Sequence, residues 1–530
     1  MIVSDVTVAR QVLDVLADHG ATTVFGLPGV HNLAFWGPAR AERGTDPAPV
    51  VVRHEQTAVY AADGWARRSG RLGAAVVTTG PGAANAVAAF GEAAASHSPV
   101  VLVASEIPAA AARSGRFRGV LHESRNQAAL FAPLAKAVFR PRTPEGVAAV
   151  IAEAAATALR HPRGPVYVDV PADVLGRPAA AEPVAAGSEA RRTEPWASIS
   201  GAVDLLAGRR VAVWAGAAVL DDAEAVGALA GRLGAPLATS FHARGLPGSL
   251  GVPPHEPEVA AVIGDADVLL VLGGDLDGMN TRNWTMPRPP VLVTVDPAPP
   301  TDPPEWTADV ALTGELGGLL RVLIERVPAH EPWFPADLAA RVRRGLDADA
   351  STLLDAVDSR PDGTALVCDM AVAGYWAGGY ARVTEPRGLA YPIGWGTLGF
   401  GLPAAVGVAS TGVPTLVVCG DGGLVMGVGE LATLVQERLP VTVLVVDDGG
   451  YGMLRYDQTR AGVEHRGVDL VTPDFVALAR AFGVEATDVP ALDGLGEALR
   501  KALATGAPHL LRVAARLTPP RTTSPRWHEG

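Results

Sequence analysis

The chain has 530 residues, too many for one hydrophobic core and suited to about three domains. An apolar fraction of 48% with 19% charged residues is that of an ordinary globular protein, and a formal charge of −12 without a basic stripe argues against a nucleic-acid partner. Cys368 and Cys419 are too few and too far apart for a disulfide framework or a zinc site, which suits a reducing cytoplasm. The N-terminus lacks the basic start and apolar run of a signal peptide. No uninterrupted apolar stretch reaches the ~20 residues that span a bilayer, so a cytoplasmic protein without membrane segments is expected.

In chain order, Val24-Phe25-Gly26 opens a strand that runs into Leu27-Pro28-Gly29, with His31 just beyond. A second strand ends in Arg53-His54 and delivers Glu55 to the start of a helix, a place the helix dipole favours for any glutamate. Gly80-Pro81-Gly82 then opens a helical stretch containing Glu92, which returns through Ser96-His97-Ser98 to an apolar strand after Pro99. Residues 179–195 are rich in Ala, Pro and Glu without apolar periodicity and read as a linker. Beyond it, Val211–Gly216 and Val268–Asp275 read as strands ending in glycine turns, and 327–335 is broken again. These breaks predict domains at 1–178, 196–326 and 350–530. The alternation of strand-like and helix-like segments predicts α/β architecture, three doubly wound parallel-sheet domains.

The last domain carries the most informative segment. Leu416–Cys419 reads as a buried strand and Gly420-Asp421-Gly422 as a tight turn at its end, followed by a helix with Leu431, Leu434 and Val435 on one side. A second strand, Val441–Val446, ends in Asp447-Asp448-Gly449-Gly450. Glycines let a backbone approach a phosphate, and Asp421 offers a hard oxygen ligand for Mg²⁺. Ligands of open α/β sheets gather beyond the carboxyl ends of strands, so both acidic turns can face one group. The first domain echoes this layout, glycine turn, helix with a glutamate, then buried strand, as two copies of one fold would.

With 24 residues between Gly422 and Asp447, the segment resembles the diphosphate-and-metal motif of thiamine-diphosphate enzymes, in the branch of acetolactate synthase and benzoylformate decarboxylase. The resemblance implies that the side chains of Asp421 and Asp448 and the carbonyl of Gly450 hold Mg²⁺, with Gly420, Gly422, Gly423 and Tyr451 around the cofactor. One departure is plain: Asp447-Asp448 stands where the family usually has two asparagines, which adds negative charge beside the diphosphate. The stretch from Arg53 to Arg67 is similar to the family's glutamate helix, and Gly80-Pro81-Gly82-Ala83-Ala84-Asn85 to its next turn. Glu55 is thereby implied as the carboxyl group that reaches N1′ of the aminopyrimidine and promotes loss of the thiazolium C2 proton. Gly394–Ala405 resembles the segment that bends the cofactor, with Leu398 between its rings and the Gly396 carbonyl at the 4′-amino group. In this family the glutamate and the diphosphate site of one centre come from different subunits. A homo-oligomer is therefore implied, a dimer at least and usually a tetramer.

The substrate side is less distinctive. Gly119–Gln127 lies where relatives carry substrate-facing residues, and its His122-Glu123 and Gln127 look most like decarboxylases of guanidino-oxo acids. His122 could orient a carboxylate or move a proton after CO₂ leaves, or be a solvated loop histidine; His31 could line the same pocket. Val30 and Thr78 replace a serine and a histidine of benzoylformate decarboxylase, so that enzyme's preference is not implied. His97 is expected to be structural, and Tyr451 with Met453-Leu454-Arg455 and the mobile-looking stretch 457–467 to close over the substrate. The turn Gly273-Gly274-Asp275 lacks the arginine that FAD-binding relatives carry, which argues against FAD. The expected reaction is non-oxidative decarboxylation of a small 2-oxo acid. Joining of two 2-oxo acids, as in acetolactate synthase, and a non-catalytic cofactor-binding relative are alternatives. A nicotinamide-dependent dehydrogenase is disfavoured because neither glycine turn continues as a dinucleotide fingerprint.

Overall fold

The computed structural model describes residues 6–37, 49–112, 116–179 and 196–522; the linker expected at 179–195 falls almost wholly outside them. The strands form three parallel sheets. The first contains β1 (Val24–Gly26), β2 (Pro49–Val51), β3 (Gly73–Val77), β4 (Val100–Glu106), β5 (Ala137–Phe139) and β6 (Val166–Pro171), in the order β2-β1-β3-β4-β6-β5. The second contains β7 (Val211–Ala215), β8 (Leu237–Thr239), β9 (Val268–Leu272), β10 (Val291–Asp296) and β11 (Val310–Thr313), in the order β11-β10-β9-β7-β8. The third contains β12 (Ala365–Cys368), β13 (Leu389–Ala390), β14 (Thr415–Gly420), β15 (Val441–Asp447), β16 (Glu485–Val489) and β17 (His509–Ala514), in the order β13-β12-β14-β15-β17-β16. Strand for strand, the first and third orders are the same, so the echo in the sequence is a repeated architecture. Helices cover both faces, which is why β4, β14 and β15 are apolar runs buried at every residue rather than alternating patterns.

The two repeats are pressed together through the helices Glu55–Ser69 and Gly401–Ala409. A Cβ added at Gly64 would lie 2.3 Å from the Ala404 carbonyl oxygen, and one at Gly407 only 1.8 Å from that of Ala61. Bare backbone at these two positions lets the helices touch, and one apolar cluster runs from Phe25 and Tyr60 through to Phe400 and Val417. The segment 327–335 has neither helix nor strand, yet it is fastened to the central sheet: the His330 amide donates to the Arg232 carbonyl at 2.9 Å and Trp333 Nε1 to that of Val211 at 3.0 Å.

Three local expectations need correction. Gly420-Asp421-Gly422 is not a turn ahead of a helix. The helix begins at Asp421 itself, because the ordinary extended conformation of Gly420 (φ −91°) leads straight into it. Val435 is 37% exposed and does not share the buried side of Leu431 and Leu434. The stretch 457–467 is helical at its start, since Gly452–Arg460 continues into it, and the Arg466 amide folds back onto Gln458 Oε1 at 3.0 Å. No helix among the described residues is long and apolar enough to cross a membrane.

His255, 3% exposed between the central and third sheets, supplies a stability prediction. Burial lowers its pKa from 6.5 to about 4, so between those values the unfolded chain binds a proton that the folded chain refuses. Stability is therefore lost as pH falls through that window, by on the order of 3 kcal/mol. Unfolding titrations of wild type and His255→Phe at pH 7 and pH 4.5 should show a smaller acid penalty in the variant by about that amount.

Candidate active site

The functional residues named from the sequence gather in two clusters. The first is built on β1, β3 and the helix that starts at Glu55. Glu55 is 8% exposed, and its Oε2 accepts a 3.0 Å hydrogen bond from Asn85 Nδ2. A Cβ at Gly82 would stand 3.1 Å from Glu55 Oε1 and 2.7 Å from Thr78, so the glycine turn brings backbone against the carboxylate. Thr78 in turn presses on Gly29, and Gly80 on the carbonyl of His122. Gln127 locks this floor by accepting from the Gly80 amide at 2.7 Å and Thr79 Oγ1 at 2.8 Å. His122 has the left-handed backbone of an exposed turn (φ 64°), and its ring meets His31 edge-on at 5.4 Å. Nδ1 of both rings is buried without a hydrogen-bond partner, and burial followed by the charge of His122 lowers the pKa of His31.

The second cluster surrounds a cavity at the carboxyl ends of β12, β14 and β15. Met370, Ala371, Leu398, Gly420, Asp421, Gly422, Gly423, Asp448, Gly450 and Tyr451 line it, with Met453, Leu454, Ala515 and Leu517. The helices Val372–Tyr380, Asp421–Gly427 and Gly452–Arg460 all begin here, and none has a side-chain cap. First-turn N–H groups of helices without a side-chain cap make a cradle for an anion such as a diphosphate. The glycines serve close approach: a Cβ at Gly422 would meet the Tyr451 ring at 2.8 Å, and one at Gly423 the Asp369 carboxylate at 2.9 Å.

Between these helix starts, Asp421 Oδ2 and Asp448 Oδ1 are buried without hydrogen-bond partners. Burial, and then the charge of Asp448, pushes Asp421 up to about 6; burial raises Asp448 while Arg455 pulls it back. Two facing carboxylates that repel one another suit a divalent cation. No group of three or more His, Cys, Asp or Glu among the described residues could hold one, so a metal here would complete its shell with backbone and diphosphate oxygens. The added charge of Asp447-Asp448 is met by arginines. Arg512 holds Asp447 through Nη2 at 2.7 Å and Nε at 3.0 Å, while Arg455 stands 3.6 Å from Asp448 and donates to the carbonyls of Asp448 and Gly449.

Three of these supporting groups escaped the reading of the sequence. Arg455 was singled out only as part of a closing segment, and Arg512 lies 64 residues beyond Asp448, visible only once β15 and β17 pair. Asp369, 1% exposed, accepts from the amides of Met370, Gly399 and Gly401 and so pins the Gly396–Leu398 segment to the end of β12. Burial raises its pKa to about 6. Its signal was an acid at a strand end, a pattern too common to single out. Gly396 has φ 79°, open to glycine, and Leu398 is 38% exposed. In the central sheet, Asp275 stands where an arginine was missed and meets His97 of the first domain at 3.4 Å.

The model of the thiamine pyrophosphate enzyme N-terminal TPP-binding domain matches residues 6–130, and that of the C-terminal TPP-binding domain matches 369–513. The chain belongs to the thiamine-diphosphate enzyme family. It is 34% identical to the probable 2-ketoarginine decarboxylase of Pseudomonas aeruginosa, across 93% of this chain and 91% of that protein. It is 30% identical to the acetolactate synthase isozyme 2 large subunit of Escherichia coli, across 96% and 95%. Among solved structures it resembles a thiamine-diphosphate-dependent 4-hydroxybenzoylformate decarboxylase from Rhodococcus jostii RHA1, with a TM-score of 0.79 and 25% identity, covering 97% of this chain and 100% of that one. Two features of this thiamine-diphosphate enzyme follow directly from the geometry. The diphosphate-type cradle lies in the third domain, within the matched C-terminal region. Glu55, Asn85, His31 and His122 lie in the first, and none of them lines the cavity around Asp421.

Proposed function

We propose that the chain is a thiamine-diphosphate- and Mg²⁺-dependent decarboxylase of a small 2-oxo acid, acting without oxidation in a homo-oligomer that is at least a dimer. The observation that carries the reading is a pair of buried carboxylates among three helix starts without side-chain caps: Asp421 Oδ2 accepts no hydrogen bond, and Asp448 Oδ1 is met by the Arg455 guanidinium at 3.6 Å. Asp421, Asp448 and the Gly450 carbonyl hold Mg²⁺, and the N–H groups around Val372, Gly422, Gly423 and Gly452 take the diphosphate. When bound, thiamine diphosphate supplies a nucleophilic thiazolium carbon and a sink for the electron pair that CO₂ leaves behind. Glu55 holds a proton at its carboxyl for the aminopyrimidine, with Asn85 fixing the rotamer. Leu398 and the Gly396 carbonyl set the shape of the cofactor. His122, with His31 beside it, receives the substrate carboxylate and hands a proton to the product. Because Glu55 and its histidines lie away from the cavity around Asp421, a second copy brings them to it. Leu121, Leu398, Leu454 and Val30, all substantially exposed, supply apolar surface for that contact. Two free, buried cysteines suit a cytoplasmic location.

The test is CO₂ release by the purified protein with thiamine diphosphate and Mg²⁺ over a panel of pyruvate, benzoylformate and 5-guanidino-2-oxopentanoate. Cofactor-dependent release from one of them with an aldehyde product is the expected result. Acetolactate from pyruvate would instead establish joining of two 2-oxo acids, and no release from any would sink the decarboxylase reading.

A further inference from the structure

Two buried glutamates outside both clusters reach across the boundary between the repeats. Glu430 is 1% exposed, at the end of the turn that follows the helix of Asp421. Its two carboxylate oxygens accept from the Arg53 amide at 3.0 and 3.3 Å, and Oε2 also accepts from Thr433 Oγ1 at 2.6 Å. Burial raises the pKa of Glu430, and the neighbouring Thr433 and Thr57 pull it back. Arg53 and Thr57 bracket Glu55, one two residues before it and the other half a helical turn after. The Arg53 guanidinium adds a 2.7 Å bond to Gln436, at the end of the helix Leu431–Gln436 that follows Glu430.

Glu92 repeats this in mirror image. It is fully buried on the helix that follows Gly80-Pro81-Gly82, held at home by Arg67 at 3.1 Å and Ser96 at 2.9 Å. Its other oxygen accepts from Thr397 Oγ1 of the third domain at 3.1 Å. Thr397 sits between Gly396 and Leu398. A Cβ at the neighbouring Gly91 would strike the Trp395 ring at 2.7 Å, so helix backbone lies flat against that segment. The two glutamates occupy corresponding places in the repeat, 12 residues after Gly80 and 10 after Gly420.

We propose that Glu430 and Glu92 are reciprocal positioning residues: Glu430 sets Glu55, Glu92 sets Gly396–Leu398, each from the opposite repeat. A charged acceptor on a loop amide is a strong and directional hold, and a carboxylate has the two acceptor oxygens to take the amide and a hydroxyl together. Neither glutamate touches the reacting atoms. The importance of the loops rests on the function proposed above; the hold itself does not.

The experiment is amide hydrogen exchange on the full chain without cofactor, in wild type, Glu430→Ala and Glu92→Ala. Loss of one charge-assisted bond should raise exchange roughly tenfold or more at the affected segment. Glu430→Ala is expected to do so at 53–57 and leave 395–399 unchanged; Glu92→Ala should do the reverse. Glu430→Gln, which keeps one acceptor oxygen, should restore part of the protection. Thr397→Val, which leaves Glu92 in place, should raise exchange at 396–398 alone and serves if an alanine variant folds poorly. In turnover, Glu430→Ala should lower kcat with KM for the 2-oxo acid within about twofold. Loosening confined to each glutamate's own helix, or spread over the whole chain, would overturn the proposal. Full activity of Glu55→Gln would remove the catalytic reading while leaving the exchange result standing. An inactive Glu55→Gln with no crossed exchange pattern would remove the positioning proposal alone.

Discussion

Glu55→Gln should lower cofactor-dependent CO₂ release roughly 10²–10⁴-fold, the usual scale for a positioned proton-transfer group. Glutamine fills the same volume and can still meet Asn85, so the close-packed turn at Gly82, where an added Cβ would lie 3.1 Å from the carboxylate, need not move. The diphosphate cradle belongs to the third domain and is untouched. The dissociation constant of thiamine diphosphate, read by tryptophan fluorescence, should therefore change little. A variant that turns over at the wild-type rate would end the assignment of Glu55. Equal loss of binding and turnover would mean that the residue serves the structure of the cofactor site instead.

Asp421→Ala should weaken Mg²⁺-dependent binding of thiamine diphosphate by about 100-fold or more, since even outer partners of a metal ligand are worth 10–100-fold. Titration calorimetry with Mg²⁺ and cofactor together reads it. The reason lies in the buried Oδ2 of Asp421, which accepts no hydrogen bond and sits within reach of the Asp448 charge. Asp448→Asn supplies the contrast: it keeps an oxygen donor in the same shape and removes charge. Its binding should stay within about tenfold of wild type, whereas Asp448→Ala should fall like Asp421→Ala. Unchanged affinity in Asp421→Ala would place the metal elsewhere. Arg455 and Arg512 explain how this chain carries two aspartates there: their guanidinium groups already neutralise much of the added charge.

Family and fold class are legible in the sequence alone. Parallel strands buried on both faces must be continuous apolar runs, so β4, β14 and β15 were legible, and ligand-facing acids at strand ends follow from that topology. The spacing from Gly422 to Asp447 and the neighbours of Glu55 carried the family because each is a local arrangement, one strand and one helix long. Where local reading failed, the cause was also local. Gly420 needs no special backbone angle, so the helix starts at Asp421 directly, and the glycines after it exist for contacts with Tyr451 and Asp369 that no spacing reveals.

Only the tertiary structure decided what holds those residues. Arg512 meets Asp447 because β17 pairs with β15, and Glu430 meets the Arg53 amide across 377 positions of sequence. Asp369 gathers three amides from two segments, and His31 finds His122 across a turn that passes Gly80. Such contacts join side chains whose types are unremarkable in their own neighbourhoods. Their meaning comes from the strand order within each repeat and, for Glu430 and Arg53, from the packing of one repeat on the other, which fix distances that chain order leaves open.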